Sequence, residues 1–350
     1  MLDLISEYRE IIISEMKEFF DRFKREGIDD YWFFDVLDRI YEFSLSGKML
    51  RGGLVIFSDE MFSGRRSNDS KKCAVAIELL QSGLLIHDDI MDDDIQRRGQ
   101  DTLFFQYKKV SEKKGIDKSY EIGKSLGICA GNIAFSLSFE VLSNIENKNL
   151  ISKLIYKFSK EMSIVNVGQM KDVLVSGFKG TIEEEEIMSI YKYKTSRYSF
   201  SLPLSLGAII GNASSENIRN LEELGEYFGI MFQIQDDKIG LISTSEKLGK
   251  PRGSDIKENK KTIFHALLFK HASQEESRKL LGIFGKQSIE ADDIDYVIDL
   301  CKKYGIFDEV NRKVMKYVDL AKRKIILLDV DDFYKRKLEE FIDYNLVRDK

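Results

Sequence analysis

The chain has 350 residues but only two prolines, three cysteines, three histidines and one tryptophan. Proline breaks helix interiors, so having only Pro203 and Pro251 permits long helices throughout. Cys73, Cys129 and Cys301 show no CxxC spacing, and a reduced cytosolic protein with buried thiols is expected. The net charge is -5 with both signs mixed along the chain, so no basic stripe for nucleic acid is present. The opening MLDLISEYREIIISEMKEFF carries acids early and lacks the basic and apolar regions of a secretory signal. No run approaches the roughly 20 apolar residues that span a bilayer, so a transmembrane segment is not expected. An apolar product would be handled from the aqueous side.

What the chain does have is helical periodicity. Hydrophobic residues make up 43%, enough for one large core or two small ones. They recur at intervals of three and four, and strand-like alternation is rare. Ala74, Ile77, Leu80 and Leu84 mark one helix; Leu221, Leu224, Phe228, Phe232 and Gln235 mark another. Breaks fall at 63–70, 111–118, 144–149, 176–180, 212–216 and 242–261. Thr181–Glu184 and Ser273–Glu276 carry the capping-box pattern that starts a helix. Without a repeat or a long linker, residues 1–350 read as one all-α domain, a single large helical bundle.

Two acidic clusters stand at the ends of apolar helical runs. The first is His87-Asp88-Asp89-Ile90-Met91-Asp92-Asp93-Asp94, followed by Arg97-Arg98-Gly99. Residues four apart share a helix face, so Asp88 and Asp92 point the same way, with Gln81 and Leu84 below them and Asp89 about 100° round. Carboxylates there are costly unless a charge repays them, and hard divalent cations seek oxygen ligands. A solvated acidic helix end is the alternative; it suits Asp93 and Asp94 but not the run Leu84-Leu85-Ile86. Arginine forks fit phosphate oxygens, although Arg97 and Arg98 could instead bridge Asp93 or Asp94.

The second cluster, Phe232-Gln233-Ile234-Gln235-Asp236-Asp237, closes another helix. Beyond it lie Lys250 in a turn-rich loop, then Lys260 and Thr262. Upstream, Lys48 and Arg51 sit near Gly47 and Gly52, and Lys194-Thr195 lies in a helical segment that Pro203 should end or kink. Each basic residue alone reads as a surface charge; with two acidic clusters they read as a diphosphate site. Of the histidines, His87 abuts the first cluster, where a structural hydrogen bond is expected.

The motifs GKMLRGG, QSGLLIHDDIMDDDIQRRG, GQMKD, KT, FQIQDD and GKPRGSDIKENKKT, running from Lys48 to Thr262, resemble the trans-isoprenyl diphosphate synthases, the farnesyl and geranylgeranyl diphosphate synthase family. The resemblance implies an isoprenoid-synthase bundle with a central cavity, a cytoplasmic homodimer, and three Mg2+ ions with substrate bound. It implies metal ligands Asp88 and Asp92 on one wall and Asp236 on the other. Arg97, Lys194, Lys250 and Lys260 would hold the diphosphate of an allylic substrate (dimethylallyl, geranyl or farnesyl). Lys48, Arg51, Gln81 and Arg98 would hold isopentenyl diphosphate, with Phe232 packed over it. Thr195, Gln233 and the Lys194 carbonyl would face the developing carbocation. Breaking an allylic C–O bond calls for charge stabilisation on the leaving group and an apolar cavity for the cation, and the released diphosphate can take the final proton.

The chain departs from that pattern. Gly240 replaces the last aspartate of the second motif, so a weakened metal site that Gly240→Asp would strengthen is expected. Met49 and Gly52 replace an arginine and a proline, and Asn132 replaces an aspartate. A non-catalytic partner subunit of a heteromeric synthase is the alternative reading. A terpene cyclase is a third, but Gly240 and Thr244 stand where its motif needs Ser or Thr and Glu. In the family, bulk at the positions of Gly83 and Leu84 sets the pocket floor. No aromatic residue is there, so geranylgeranyl diphosphate or longer is expected. Gly83 could instead serve a close helix contact, leaving Leu84, Leu80 and side chains near Phe135 as the floor.

Overall fold

The computed structural model describes residues 2–178, 180–242, 253–286 and 288–347, which are helical almost throughout. The all-α expectation holds, with one addition: a two-stranded ribbon, β1 (Gln96–Arg97) and β2 (Gln100–Asp101). Two compact units are formed, Met1–Lys157 with Pro203–Ser214 and Phe158–Leu202 with Ser215–Lys350.

The first unit is built from α1 (Leu2–Glu26), α2 (Tyr31–Leu45), α3 (Leu50–Ser63), α4 (Asn68–Met91), α5 (Leu103–Lys113) and α6 (Ser119–Ser143). Side-chain caps start two of them: Asp30 accepts from the N–H of Trp32 at 2.8 Å, and Ser67 from that of Ser70 at 3.1 Å. Helix α4 is central, with Ala74, Val75, Ala76, Ile77, Leu79 and Leu80 wholly buried, as expected of a helix apolar all round. Helix α6 closes on it through a stripe of small residues. A Cβ at Gly127 would stand 2.8 Å from Ile90 Cδ1 and 2.9 Å from Phe104 Cβ.

By length and composition α6 is apolar enough to cross a membrane, against the expectation that no run would be. Glycine, alanine, serine and cysteine dilute its larger apolar residues, so no continuous hydrophobic run stands out. Its small-residue face is instead buried on α4 and α5. Cys129 on this helix is exposed, also against expectation, because it lies on the face away from the stripe; Cys73 and Cys301 are buried.

The second unit is organised on α10 (Ser215–Ile242) and an 11-residue π-helix, Tyr191–Ser201. Gly225 and Gly229 on α10 admit the backbone at Ser201 and Ser196 without a clash. Phe228 and Phe200 both pack on Phe341, with ring centroids 5.2 and 5.8 Å apart. Around this core stand α8 (Glu184–Ile190), α11 (Ser254–Lys257), α12 (Ile263–His271), α13 (Gln274–Ile283), α14 (Ala291–Lys303), α15 (Ile306–Ile326) and α16 (Asp332–Val347). Helices α7 (Lys148–Ser176) and α9 (Leu202–Ile210) contribute residues to both units.

Three local expectations are corrected. Pro203 does not end the helix: the π-helix runs directly into α9, and Pro203 is its second residue. The i→i+5 bonding just upstream absorbs the missing donor, as where Leu202 N–H reaches Arg197. Helix α10 continues to Ile242, so Asp236 and Asp237 lie inside it. Helix α8 starts after Glu183 rather than Thr181 and has no side-chain cap, whereas the box at Ser273 and Glu276 forms as read.

His265 on α12 is buried between Phe269 and Phe284, at ring distances of 4.5 and 4.7 Å. Lys261 Nζ lies 3.2 Å from its Nε2. Burial, then the Lys261 charge, pushes its pKa down to about 3, below the unfolded value of about 6.5. Its contribution to stability is full above the unfolded value and is lost as pH falls toward the folded one. Between about pH 7.5 and pH 5, the wild type should lose about 2 kcal/mol more than His265→Leu. Denaturant unfolding at both pH values measures this; equal losses would mean the folded chain accepts the proton.

Candidate active site

In the first unit the last turn of α4 presents Asp88 and Asp89, and Asp92 caps it, its N–H bonding the Asp88 carbonyl at 2.9 Å. The ribbon then turns back through Arg98 and Gly99, both with positive φ (54° and 76°), as a two-residue hairpin requires. This sends the two arginines to different places. Arg97 Nε donates to Asp89 Oδ1 at 2.5 Å, while its Nη2 lies 3.4 Å from Asp88 and 3.9 Å from Asp94. Arg98 Nη1 donates to Ser46 Oγ at 3.0 Å. Thus Arg97 does bridge the acidic cluster, chiefly through Asp89 and Asp88. Asp93 instead accepts from Tyr120 at 2.7 Å and pairs with Lys124 at 2.6 Å.

Asp89 is the buried member of this cluster. Desolvation, opposed by Arg97, raises its pKa to about 7, and its Oδ2 has no hydrogen-bond partner among the described residues. Nothing in the sequence separated it from Asp88 except the angle around the helix. His87 makes the structural contact expected, Nε2 to the Ile128 carbonyl at 3.1 Å.

The set assigned to the second diphosphate also lies in this unit. Buried Gln81 has an Oε1 without a hydrogen-bond partner among the described residues. Lys48 is exposed just before α3, and Arg51 is in the first turn of that helix. Helix α3 starts at Met49 in the left-handed region (φ 52°) with no side-chain cap. Buried Glu78 supplies one from α4: its Oε1 accepts from Gly52 N–H at 2.7 Å, and it also bonds the Arg51 backbone. Burial raises the Glu78 pKa, and Arg51 and Arg98 oppose that shift. The proline usual at position 52 has no N–H, so glycine makes this bond possible. Leu80 is buried and Leu84 half-buried. A Cβ at Gly83 would stand 2.5 Å from the Phe135 ring and 3.1 Å from the Gly131 carbonyl, so Gly83 serves the close α4–α6 contact.

The second unit holds a cavity of about 300 Å³. Five expected residues line it: Lys194, Thr195, Gln233, Asp236 and Lys260. Other lining residues include Asp172, Tyr191, Asp237, Asp255 and Lys261. Lys250 lies outside the described residues. Phe232 packs on Phe200, with centroids 5.4 Å apart. Lys194 Nζ donates to Asp172 Oδ2 at 2.5 Å. Gly168 makes that possible, since any Cβ there would overlap the backbone of Lys194; the GQMKD motif carried this signal unread. Lys260 pairs with Glu258 at 3.1 Å and lies 3.7 Å from Asp255.

Asp237 is buried. Burial, then the Asp255 charge, raises its pKa to about 8, while hydrogen bonds from Tyr191 and Gln233 act the other way. At Gly240 the missing carboxylate is explained: a Cβ would stand 2.5 Å from Asp255 Oδ2.

Among the described residues no three carboxylate, imidazole or thiolate groups converge on one point. The donors present, carboxylate oxygens in pairs beside lysine and arginine, still fit magnesium. That ion uses one or two carboxylates and completes its octahedron with water and phosphate oxygens. The orphaned Oδ2 of Asp89 and Oε1 of Gln81 are further groups that await a polar partner.

Comparison with known proteins agrees with this architecture. Over 98% of this chain and 99% of the other, the fold superposes on a Corynebacterium glutamicum geranylgeranyl pyrophosphate synthase complexed with isoprenyl diphosphate and magnesium, with a TM-score of 0.90 at 23% identity. The helical scaffold is thus that of the isoprenyl synthases. A geranylgeranyl diphosphate synthase of Saccharolobus solfataricus is 32% identical over 80% of this chain and 79% of that protein. A short chain isoprenyl diphosphate synthase of Methanothermobacter thermautotrophicus is 30% identical over 97% and 98%. Residues 33–301 match the polyprenyl synthetase family. The chain belongs to that family and is a prenyltransferase.

Proposed function

We propose that the chain condenses isopentenyl diphosphate with an allylic diphosphate to make geranylgeranyl diphosphate or a somewhat longer product. The observation that carries this is the second-unit cavity, which gathers Asp236, Lys194 and Lys260 around the polar pair Thr195 and Gln233. Lysines there suit a diphosphate, and the oxygen atoms of the pair suit a cation. Similarity to proteins named geranylgeranyl diphosphate synthases supports the product.

In this reading Asp88 and Asp92 of the first unit and Asp236 of the second would hold magnesium. Magnesium held there, up to three ions, would supply positive charge for the diphosphate leaving group. Arg97, anchored through Nε to Asp89, offers its Nη groups to the allylic diphosphate with Lys194, Lys250 and Lys260. Lys48, Arg51, Gln81 and Arg98 bind isopentenyl diphosphate, and Phe232 packs over its alkene. The Lys194 carbonyl, Thr195 and Gln233 face the allylic cation, and apolar walls keep water from it. Residues 1–350 act as one catalytic domain in the cytoplasm. A homodimer belongs to this reading; Met170 and Leu174, four apart on α7, are exposed apolar residues on one face.

Purified chain incubated with magnesium, isopentenyl diphosphate and dimethylallyl, geranyl or farnesyl diphosphate tests the proposal. Products of twenty or more carbons are expected. No condensation with any primer would overturn it in favour of a non-catalytic subunit.

Gly240→Asp is now expected to weaken the enzyme. The added carboxylate must displace Asp255 and repel it at contact distance, and like charges in one site disfavour ionisation. The magnesium concentration for half-maximal rate should rise about 10-fold, within the range typical of residues that support metal ligands. A lower requirement would show that Asp255 leaves room for a second carboxylate.

A further inference from the structure

We propose that Tyr191 and Asp237 act as a positioning pair, fixing the Gln233 amide and the Thr195 hydroxyl so that the Thr195 oxygen presents lone pairs to the allylic cation. The inference rests on the function proposed above. It starts from a hydrogen-bond chain through three segments. Ile263 N–H, the first residue of α12, donates to Tyr191 Oη at 2.8 Å. Tyr191 Oη is hydrogen-bonded to Asp237 Oδ2. Gln233 Nε2 donates to Asp237 Oδ1 at 2.9 Å. Thr195 Oγ1 donates to Gln233 Oε1 at 2.9 Å.

The direction of each bond follows from what each group can do. A backbone N–H only donates, so Tyr191 accepts from Ile263. Asp237 Oδ1 accepts an N–H of Gln233 while Oδ2 shares a proton with Tyr191 Oη, so whichever of those two oxygens holds that proton, Oδ1 is left only to accept. The Gln233 amide must then turn its carbonyl oxygen away from Asp237, toward Thr195. Thr195 has one hydroxyl proton and gives it to that oxygen. What remains on Thr195 Oγ1 is its lone pairs, the correct polarity for positive charge in the cavity.

Without the pair, nothing sets this polarity. A glutamine amide can flip and a hydroxyl can rotate, and a proton turned toward the cation would repel it. Preorganised dipoles stabilise a transition state because they need no reorganisation when charge develops. Gln233 and Asp237 are four apart on α10 and share a face. Tyr191 and Thr195 come from the π-helix, which Gly229 admits close to α10. The order begins at a rigid backbone N–H and ends at the cavity wall.

The test uses the full chain with magnesium, isopentenyl diphosphate and its best allylic primer. Tyr191→Phe, with helical content checked by circular dichroism, should lower kcat about 10–100-fold, the range carried by groups that orient a functional residue. KM for both diphosphates should stay within about twofold, because the pair acts on the transition state. Asp237→Asn should lose a similar factor, since an asparagine can donate as well as accept and lets Gln233 flip. The double variant should be no worse than the poorer single one, as expected of residues in one chain. Unchanged kcat in Tyr191→Phe, multiplied losses in the double variant, or a rise in KM alone would overturn the inference while an active wild type upholds the function. A wild type that makes no product overturns both.

Discussion

Asp88→Ala and Asp236→Ala should each lower kcat by about 10³-fold, the scale of removing one group that stabilises charge in a transition state. Each deletes a carboxylate proposed to hold magnesium against the leaving diphosphate. That interaction strengthens as the allylic bond breaks, so turnover should fall much more than substrate affinity. Asp93→Asn is the control. Asp93 accepts from Tyr120 and pairs with Lys124, and its loss should leave kcat within about twofold, as expected of an exposed ion pair. Wild-type turnover in either alanine variant would remove that residue from the metal set.

Gly83→Phe should fail to accumulate as folded protein, and Leu84→Phe should shorten the product by at least one five-carbon unit. At Gly83 even a methyl group would meet the Phe135 ring at 2.5 Å and the Gly131 carbonyl at 3.1 Å. Overpacking of that kind costs roughly 1–3 kcal/mol for small additions, and a benzyl group exceeds what the α4–α6 contact can absorb. Leu84 is half-buried and lies about 40° around α4 from Asp88, on the side where an allylic chain would run. Product chain lengths from Leu84→Phe, separated by reversed-phase chromatography, decide the matter. An unchanged distribution would exclude Leu84 as the floor, and a folded Gly83→Phe with shorter products would restore Gly83 to that role.

Part of the second-unit cavity could be read before the fold was known. Asp88, Asp92, Arg97, Lys194, Gln233 and Asp236 sit in short motifs whose spacing and composition carry chemistry. Lys194, Thr195, Gln233, Asp236 and Lys260, drawn from three segments, do line one cavity. The residues missed share a different trait. Asp172, Tyr191 and Glu78 act through partners far along the chain: Asp172 meets Lys194 22 residues away, Glu78 meets Gly52 26 away, and Tyr191 meets Asp237 46 away. A lone tyrosine or glutamate in a helical pattern looks like any other amphipathic position.

The sequence by itself determined the helical class, because apolar intervals of three and four allow little else. It also pointed to diphosphate chemistry, through motifs that resemble those of the trans-isoprenyl diphosphate synthases. Tertiary structure alone decided the partners. Helical periodicity gives an angle around one axis and nothing about the neighbouring one. Whether Arg97 turns to Asp89, whether Gly83 faces a ligand or Phe135, and whether Gly240 is a gap or the seat of the Asp255 carboxylate depend on how closely separate helices approach. Those distances are set by glycines such as Gly127, Gly168 and Gly229, where a single Cβ would force the segments apart.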